Sequence, residues 1–267
     1  MIKINYKRIN NSNTEYILIH LHGQSNIGRA DNVYPSYLPT GVALTDCEVW
    51  DEVTQEYVDL VPGVNGAPLT SDTQYGFAHE LGYRLKLLYP DKKIRFYLTA
   101  RGGAGLTYGV IPSFLHSSWK DDPVVNEDGN WWQLTQSQWT EASTGFNYID
   151  FGSLWFQGET DATDDNEYSS LNYQSLEKSL IDEHNELYGL KDWICINIHP
   201  DIVNNPSFTN ASNVTRVRQA KVNNSNNGVY TFYRDSSDVG LKSDSLHINV
   251  NAVQVISEWI IANVYTD

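Results

Sequence analysis

Five short apolar, β-favouring runs punctuate the chain at Tyr16–Leu21, Ile94–Thr99, Ile149–Phe156, Trp193–Ile198 and Val229–Tyr233, and helix-like segments fill most of the gaps between them. A strand buried on both faces stays apolar instead of alternating, and strands that alternate with helices pair in parallel. The pattern predicts an α/β fold with a mostly parallel, roughly five-stranded sheet. Phe77, Leu81, Leu85 and Leu88 recur at three- and four-residue steps until Tyr89-Pro90 ends them, which predicts an amphipathic helix over 74–89. Tyr173, Leu176, Leu180 and Leu187 mark a second helix that starts at the acidic stretch Asp164-Asp165-Asn166-Glu167, where carboxylates suit the positive end of the helix dipole. A last helix is expected over 250–264, with Val253, Ile256, Trp259 or Ile260, and Val264 on one stripe.

At 267 residues the chain suits one enlarged α/β domain, 1–267, with an insertion at about 106–145. That insertion has weak periodicity and holds Trp119, Trp131, Trp132 and Trp139 amid Gly, Pro, Asn and Asp. Long loops in compact domains are usually functional or disordered, and four tryptophans argue against disorder. The net charge of −15, with no cluster of Lys and Arg, argues against a nucleic-acid partner. Cys47 and Cys195 lie far apart and read as reduced and structural. No run approaches the length of a membrane span, and the first residues lack the apolar segment of a secretory signal. No membrane partner is expected, and the location expected is the cytoplasm, or a virion or exterior reached by another route. The oligomeric state is left open.

The candidate chemistry begins at His20-Leu21-His22-Gly23-Gln24-Ser25-Asn26-Ile27-Gly28, where an apolar strand runs into a small polar turn. Ser25 then sits at the carboxyl end of a parallel strand, where open α/β sheets bind ligands. A serine there is either a nucleophile or a helix cap. A nucleophilic serine needs a base, and the base needs an orienting partner. Lys242-Ser243-Asp244-Ser245-Leu246-His247 supplies both, because two intervening residues on a turn let Asp244 reach one imidazole nitrogen of His247 and leave the other to face Ser25.

Gly23-Gln24-Ser25-Asn26, Arg101-Gly102-Gly103, Trp155-Phe156-Gln157-Gly158-Glu159-Thr160-Asp161 and Asp244-Ser245-Leu246-His247 together resemble the SGNH hydrolases in order and approximate spacing. The similarity is to the branch of acetylxylan esterases and sialate O-acetylesterases, and it spans residues 20–247. It implies a three-layer α/β/α, flavodoxin-like architecture, Ser25 as nucleophile, His247 as general base and then acid, and Asp244 as its orienting carboxylate. It also implies an oxyanion hole from the Ser25 N–H, a backbone N–H of Gly102 or Gly103, and the Gln157 side-chain amide. Glycines suit that place because no Cβ blocks a ligand's approach, although a plain tight turn would also use them.

Glu159 is the alternative acid, able to orient His247 or to support the loop; Asp244 is favoured because its nearness in sequence fixes the geometry. Asp161 reads as structural. Glu159, Asp161, Asp164 and Asp165 lack the alternating spacing and the glycine of a calcium loop. His20 and His22 share a strand face but have no cysteine or third histidine at helpful spacing. No metal and no cofactor are therefore expected. Arg218 either pairs with a carboxylate near the site or is solvated.

The resemblance implies a serine esterase that removes O-acetyl groups from carbohydrate through an acetyl-serine intermediate, with acetylated carbohydrate as its partner. Asn26, Trp119, Trp131 and Trp132 are candidate substrate contacts, the tryptophans by stacking on sugar faces. The alternatives are a short-chain lipase or thioesterase of the same fold, and a non-catalytic carbohydrate-binding or virion-associated module.

Overall fold

The computed structural model describes residues 16–28, 30, 32–66, 74–100, 102–106, 138–163, 167–189, 192–208 and 210–265. Its centre is a seven-stranded sheet of β1 (Tyr16–Gly23), β2 (Cys47–Asp51), β3 (Glu56–Asp59), β4 (Lys93–Leu98), β5 (Tyr148–Phe156), β6 (Trp193–Ile196) and β7 (Phe232–Arg234). The order is β3-β2-β4-β1-β5-β6-β7. Every pairing is parallel except β2 with β3. The two strands beyond the expected five form an edge hairpin whose Glu48, Asp51, Glu56 and Asp59 hide any apolar run. The sheet's first strand is its middle one, so successive crossovers leave β1 in opposite directions and open a crevice at its carboxyl end.

Strand alternation assigns the faces. Ile17, Ile19 and Leu21 point to one side and pack with Phe77, Leu81 and Leu85 of α1 (Phe77–Leu88) and with Val253, Ile256 and Ile260 of α4 (Val250–Ile260). On the other side, Trp155, Trp193 and Cys195 lie with Tyr173 and Leu180 of α2 (Glu167–Tyr188) and Val214 and Val217 of α3 (Ala211–Asn226). The result is the three-layer α/β/α arrangement expected. The last helix ends earlier than its apolar stripe, at Ile260, and a π turn carries Ile261–Tyr265 onward. The segment Thr215–Ala220 lies within α3, an Asn-rich helix whose start is capped by Asn210, its side chain accepting from the Ser212 N–H at 3.1 Å.

Between α2 and α3 lies a buried ion pair. Lys221 Nζ donates to Glu177 Oε1 at 2.7 Å, both side chains fully buried, and Trp155, Asn224 and Tyr230 also donate to that carboxylate. Burial pushes the Glu177 carboxyl up, but Lys221 and the surrounding donors outweigh it and hold the group below its ordinary value. Arg218 makes a two-pronged pair with Asp235 at 2.9 and 3.1 Å. Cys47 and Cys195 are buried free thiols, and desolvation pushes each up to about 12. Among the described residues no helix is long and apolar enough to cross a membrane.

Most of the tryptophan-rich insertion, including Trp119, Trp131 and Trp132, lies outside the described residues. Trp139 sits on a short helix over 138–143, buried, with its ring centroid 4.2 Å from that of His20.

Candidate active site

The turn that carries Ser25 is shaped by Gly23. Its φ is +135°, and a Cβ there would stand 2.0 Å from the Phe156 carbonyl oxygen, so only glycine lets β1 run this close to the end of β5. The Gln24 N–H then donates to Phe156 O at 3.1 Å, and a 3₁₀ turn begins at Ser25. The first residue of such a turn has no acceptor for its N–H within the turn.

The other half of the site is the loop before α4. Asp244 Oδ1 accepts from the Leu246 and His247 N–H groups, each at 2.9 Å, and Ser245 adopts a left-handed conformation at φ 55° to close the turn. Asp244 Oδ2 is 2.7 Å from His247 Nδ1, and His247 Nε2 is 2.9 Å from Ser25 Oγ. With its proton on Nδ1 toward the carboxylate, the imidazole offers the Nε2 lone pair to the serine hydroxyl. Partial burial pushes the Asp244 carboxyl up. The two N–H groups and the His247 ring more than reverse that shift, so the carboxyl lies below its ordinary value.

Asn26 joins the two halves. It is 2% exposed, its Oδ1 accepts from the Ile248 N–H at 3.0 Å, and its Nδ2 donates to Glu159 Oε1 at 2.5 Å. It therefore differs from the expected substrate contact: its amide is spent on holding the histidine loop and Glu159 against the serine turn. Glu159, for its part, is bonded by Asn26, while His247 Nδ1 is bonded by Asp244. Desolvation raises the Glu159 carboxyl, and the Asn26 bond only partly offsets this.

Gln157 is in the expected place, at the end of β5, but is already engaged. Its Nε2 donates to Ala104 O at 3.0 Å and to Asp161 Oδ2, and its Oε1 accepts from Tyr173 OH at 2.7 Å. Both amide hydrogens have acceptors and the side chain is 0% exposed, so in this state Gln157 braces the loops instead of presenting a donor to an oxyanion. Asp161 is structural as expected, accepting also from the Leu106 N–H at 3.0 Å and from Ser169. Burial lifts it to about 6 against those bonds. Gly102 and Gly103 form a turn beyond β4, with Gly103 at φ 75°, and among the described residues neither N–H has an acceptor. Sequence reading missed the work of Gln24, whose Oε1 lies 3.4 Å from the Gly158 and Thr160 N–H groups and from Gln157 Nε2. Nothing in local spacing shows that bracing, because its partners lie more than 130 residues away.

A third histidine, also missed, joins His20 and His22. His184 comes from α2 to the same sheet face, and the three offer ligand atoms that all lie within 4.8 Å of one another. Helix packing brings it there from far along the chain, where residue spacing carries no trace of it.

No protein-family model matches the sequence, and no curated protein matches it. The structure, by contrast, is similar to solved ones. A protein of Arabidopsis thaliana matches with a TM-score of 0.66 at 16% identity, over 94% of this chain and 99% of that one. NanS matches with a TM-score of 0.65 at 15% identity, over 95% of this chain and 98% of that one. A carbohydrate acetylesterase from Xanthomonas citri matches with a TM-score of 0.58 at 12% identity, over 94% of this chain and 57% of that one. The chain thus shares its overall fold with these solved proteins, one of them a carbohydrate acetylesterase.

Proposed function

We propose that this chain is a serine esterase that removes O-acetyl groups from carbohydrate. The observation that carries the proposal is the continuous relay Asp244 Oδ2, His247 Nδ1, His247 Nε2 and Ser25 Oγ, with steps of 2.7 and 2.9 Å. It stands at the crevice where α/β sheets act. In this reading His247 takes the hydroxyl proton as Ser25 Oγ attacks the acetyl carbonyl. The negative charge that develops on the carbonyl oxygen meets the N–H of Ser25 and one from the Gly102-Gly103 turn. Collapse expels the sugar hydroxyl, which takes the proton from His247. Water, activated by the same imidazole, then attacks the acetyl-serine and releases acetate.

The choice of an acetylated sugar is supported by the Gly-Gln-Ser-Asn and Gln-Gly-Glu motifs and by the likeness to a solved carbohydrate acetylesterase. The test compares wild type with Ser25→Ala on p-nitrophenyl acetate, acetylated xylan and O-acetylated sialic acid. Wild type should release acetate and the variant should not. Equal turnover by both removes Ser25 as nucleophile, and a wild type active on the aryl ester but on neither sugar removes the carbohydrate assignment.

A further inference from the structure

The buried face of the sheet opposite α1 and α4 carries a row of polar groups that the proposed esterase chemistry does not use. Parallel register sets Tyr97, His20, Ser153 and Trp193 side by side across β4, β1, β5 and β6. His22 is two residues along from His20, on the same face, and His184 of α2 covers both. All three imidazoles are buried, 0 to 1% exposed. The geometry points to a transition-metal site built from His20, His22 and His184, for a borderline divalent ion of the zinc type.

Ring positions favour this over an accidental stack. The centroids are 5.4 Å apart for His20 and His22, 5.5 Å for His22 and His184, and 6.0 Å for His20 and His184, with the planes inclined at 59°, 72° and 71°. Imidazoles sharing one tetrahedral ion at about 2.0–2.1 Å have centroids roughly 5.2 Å apart, so the rings already stand near the required separation. The ligand atoms lie within 4.8 Å of one another, and an ion would draw them in to the roughly 3.4 Å spacing of two ligands on one centre.

Two neighbours fit the outer layer of such a site. Thr99 Oγ1 is 2.6 Å from His22 Nδ1, which fixes that ring and leaves Nε2 for the ion. Ser153 Oγ is fully buried with no hydrogen-bond partner among the described residues, although its Cα is the register partner of His20. In this proposal it would hydrogen-bond a water in the fourth coordination position. An imidazole-only set selects zinc, cobalt, nickel or copper over magnesium and calcium. With three protein ligands from two elements, the ion would tie α2 to β1 just before the serine turn.

The test uses the full chain, stripped with chelator and shown to be folded by circular dichroism, then titrated with Zn²⁺ and with Co²⁺. One ion per chain, a rise in Tm, and the visible bands of tetrahedral Co²⁺ are expected. Thr99→Val should weaken binding by about 10–100-fold. His184→Leu and His20→Phe should each abolish it, and His247→Asn should leave it unchanged, separating this site from the serine relay. The inference is overturned if folded wild type takes up no stoichiometric Zn²⁺ or Co²⁺. It is also overturned if binding survives in a folded His184→Leu or His20→Phe variant, or is lost in His247→Asn. Should both histidine variants unfold, the Thr99→Val titration decides, and unchanged affinity there counts against the site.

Discussion

Asn26 Nδ2 lies 2.5 Å from Glu159 Oε1, and the same Asn26 side chain accepts from the Ile248 N–H at 3.0 Å. One amide thus connects the turn that carries Ser25, the loop that carries His247 and the carboxylate that sequence reasoning had offered as a rival to Asp244. In the proposed relay Glu159 serves as a brace and Asp244 as the orienting acid, so the two should behave differently. Asp244→Asn removes the charge that orients His247 and should lower kcat by about 10³–10⁴-fold, by analogy with the Ser-His-Asp template. Glu159→Gln keeps the packing and should lower it by about tenfold or less. Steady-state kinetics on p-nitrophenyl acetate check both, and a larger fall for Glu159→Gln reverses the assignment.

Gly23→Ala should be the most damaging methyl addition near the site. The added carbon meets a carbonyl oxygen at 2.0 Å in a backbone region that L-residues avoid, so β1 must part from β5. A loss of more than about 2 kcal/mol in urea unfolding is expected, together with loss of esterase activity even under conditions where the variant stays folded. A variant as stable and active as wild type would show that the turn is not shaped as described.

Lys221→Met should cost about 3–5 kcal/mol, because it strands Glu177 as an unpaired buried carboxylate. Adding Glu177→Gln to that variant removes the charge while keeping one oxygen acceptor, for Trp155, and should recover part of the loss. Chemical denaturation of the double variant and of each single variant measures this, and additive losses would deny the coupling.

Asp161 gives a pH dependence with a definite sign. Its carboxyl is raised from 3.8 to about 6 by burial, so the native state holds that proton more tightly than the unfolded chain does. The stability it contributes is full below about pH 4, declines as pH rises toward about 6, and is absent above, a swing of about 3 kcal/mol. Asn at this position has no proton to lose. The stability difference between wild type and Asp161→Asn should therefore shift by about that amount, against wild type, from pH 4 to pH 7. A difference that stays constant with pH would refute the shift.

Much of this molecule was readable along the chain. The helix through Phe77, Leu81 and Leu85, the helix through Tyr173 and Leu180, and the strands at Tyr16, Ile149 and Trp193 follow from periodicity, since burial on one stripe or on both faces leaves a regular apolar record. The hairpin Cys47–Asp59 left none, because an edge pair rich in carboxylates alternates too briefly to stand out. The Ser25, Asp244 and His247 positions were legible because strand-to-turn chemistry and a two-residue gap are local facts.

Sequence by itself determined which residues carry reactive groups and that the chain would build a parallel α/β sheet, since both rest on side-chain type and short-range spacing. Tertiary structure alone decided how those groups are shared out. It gave Asn26 to Glu159 and Ile248, turned the Gln157 amide toward Asp161 and Ala104, and carried His184 across to His20 and His22. Each of these depends on hydrogen-bond valence and ring placement between segments far apart in the chain. Only the packing of helices on the sheet brings such segments within reach of one another.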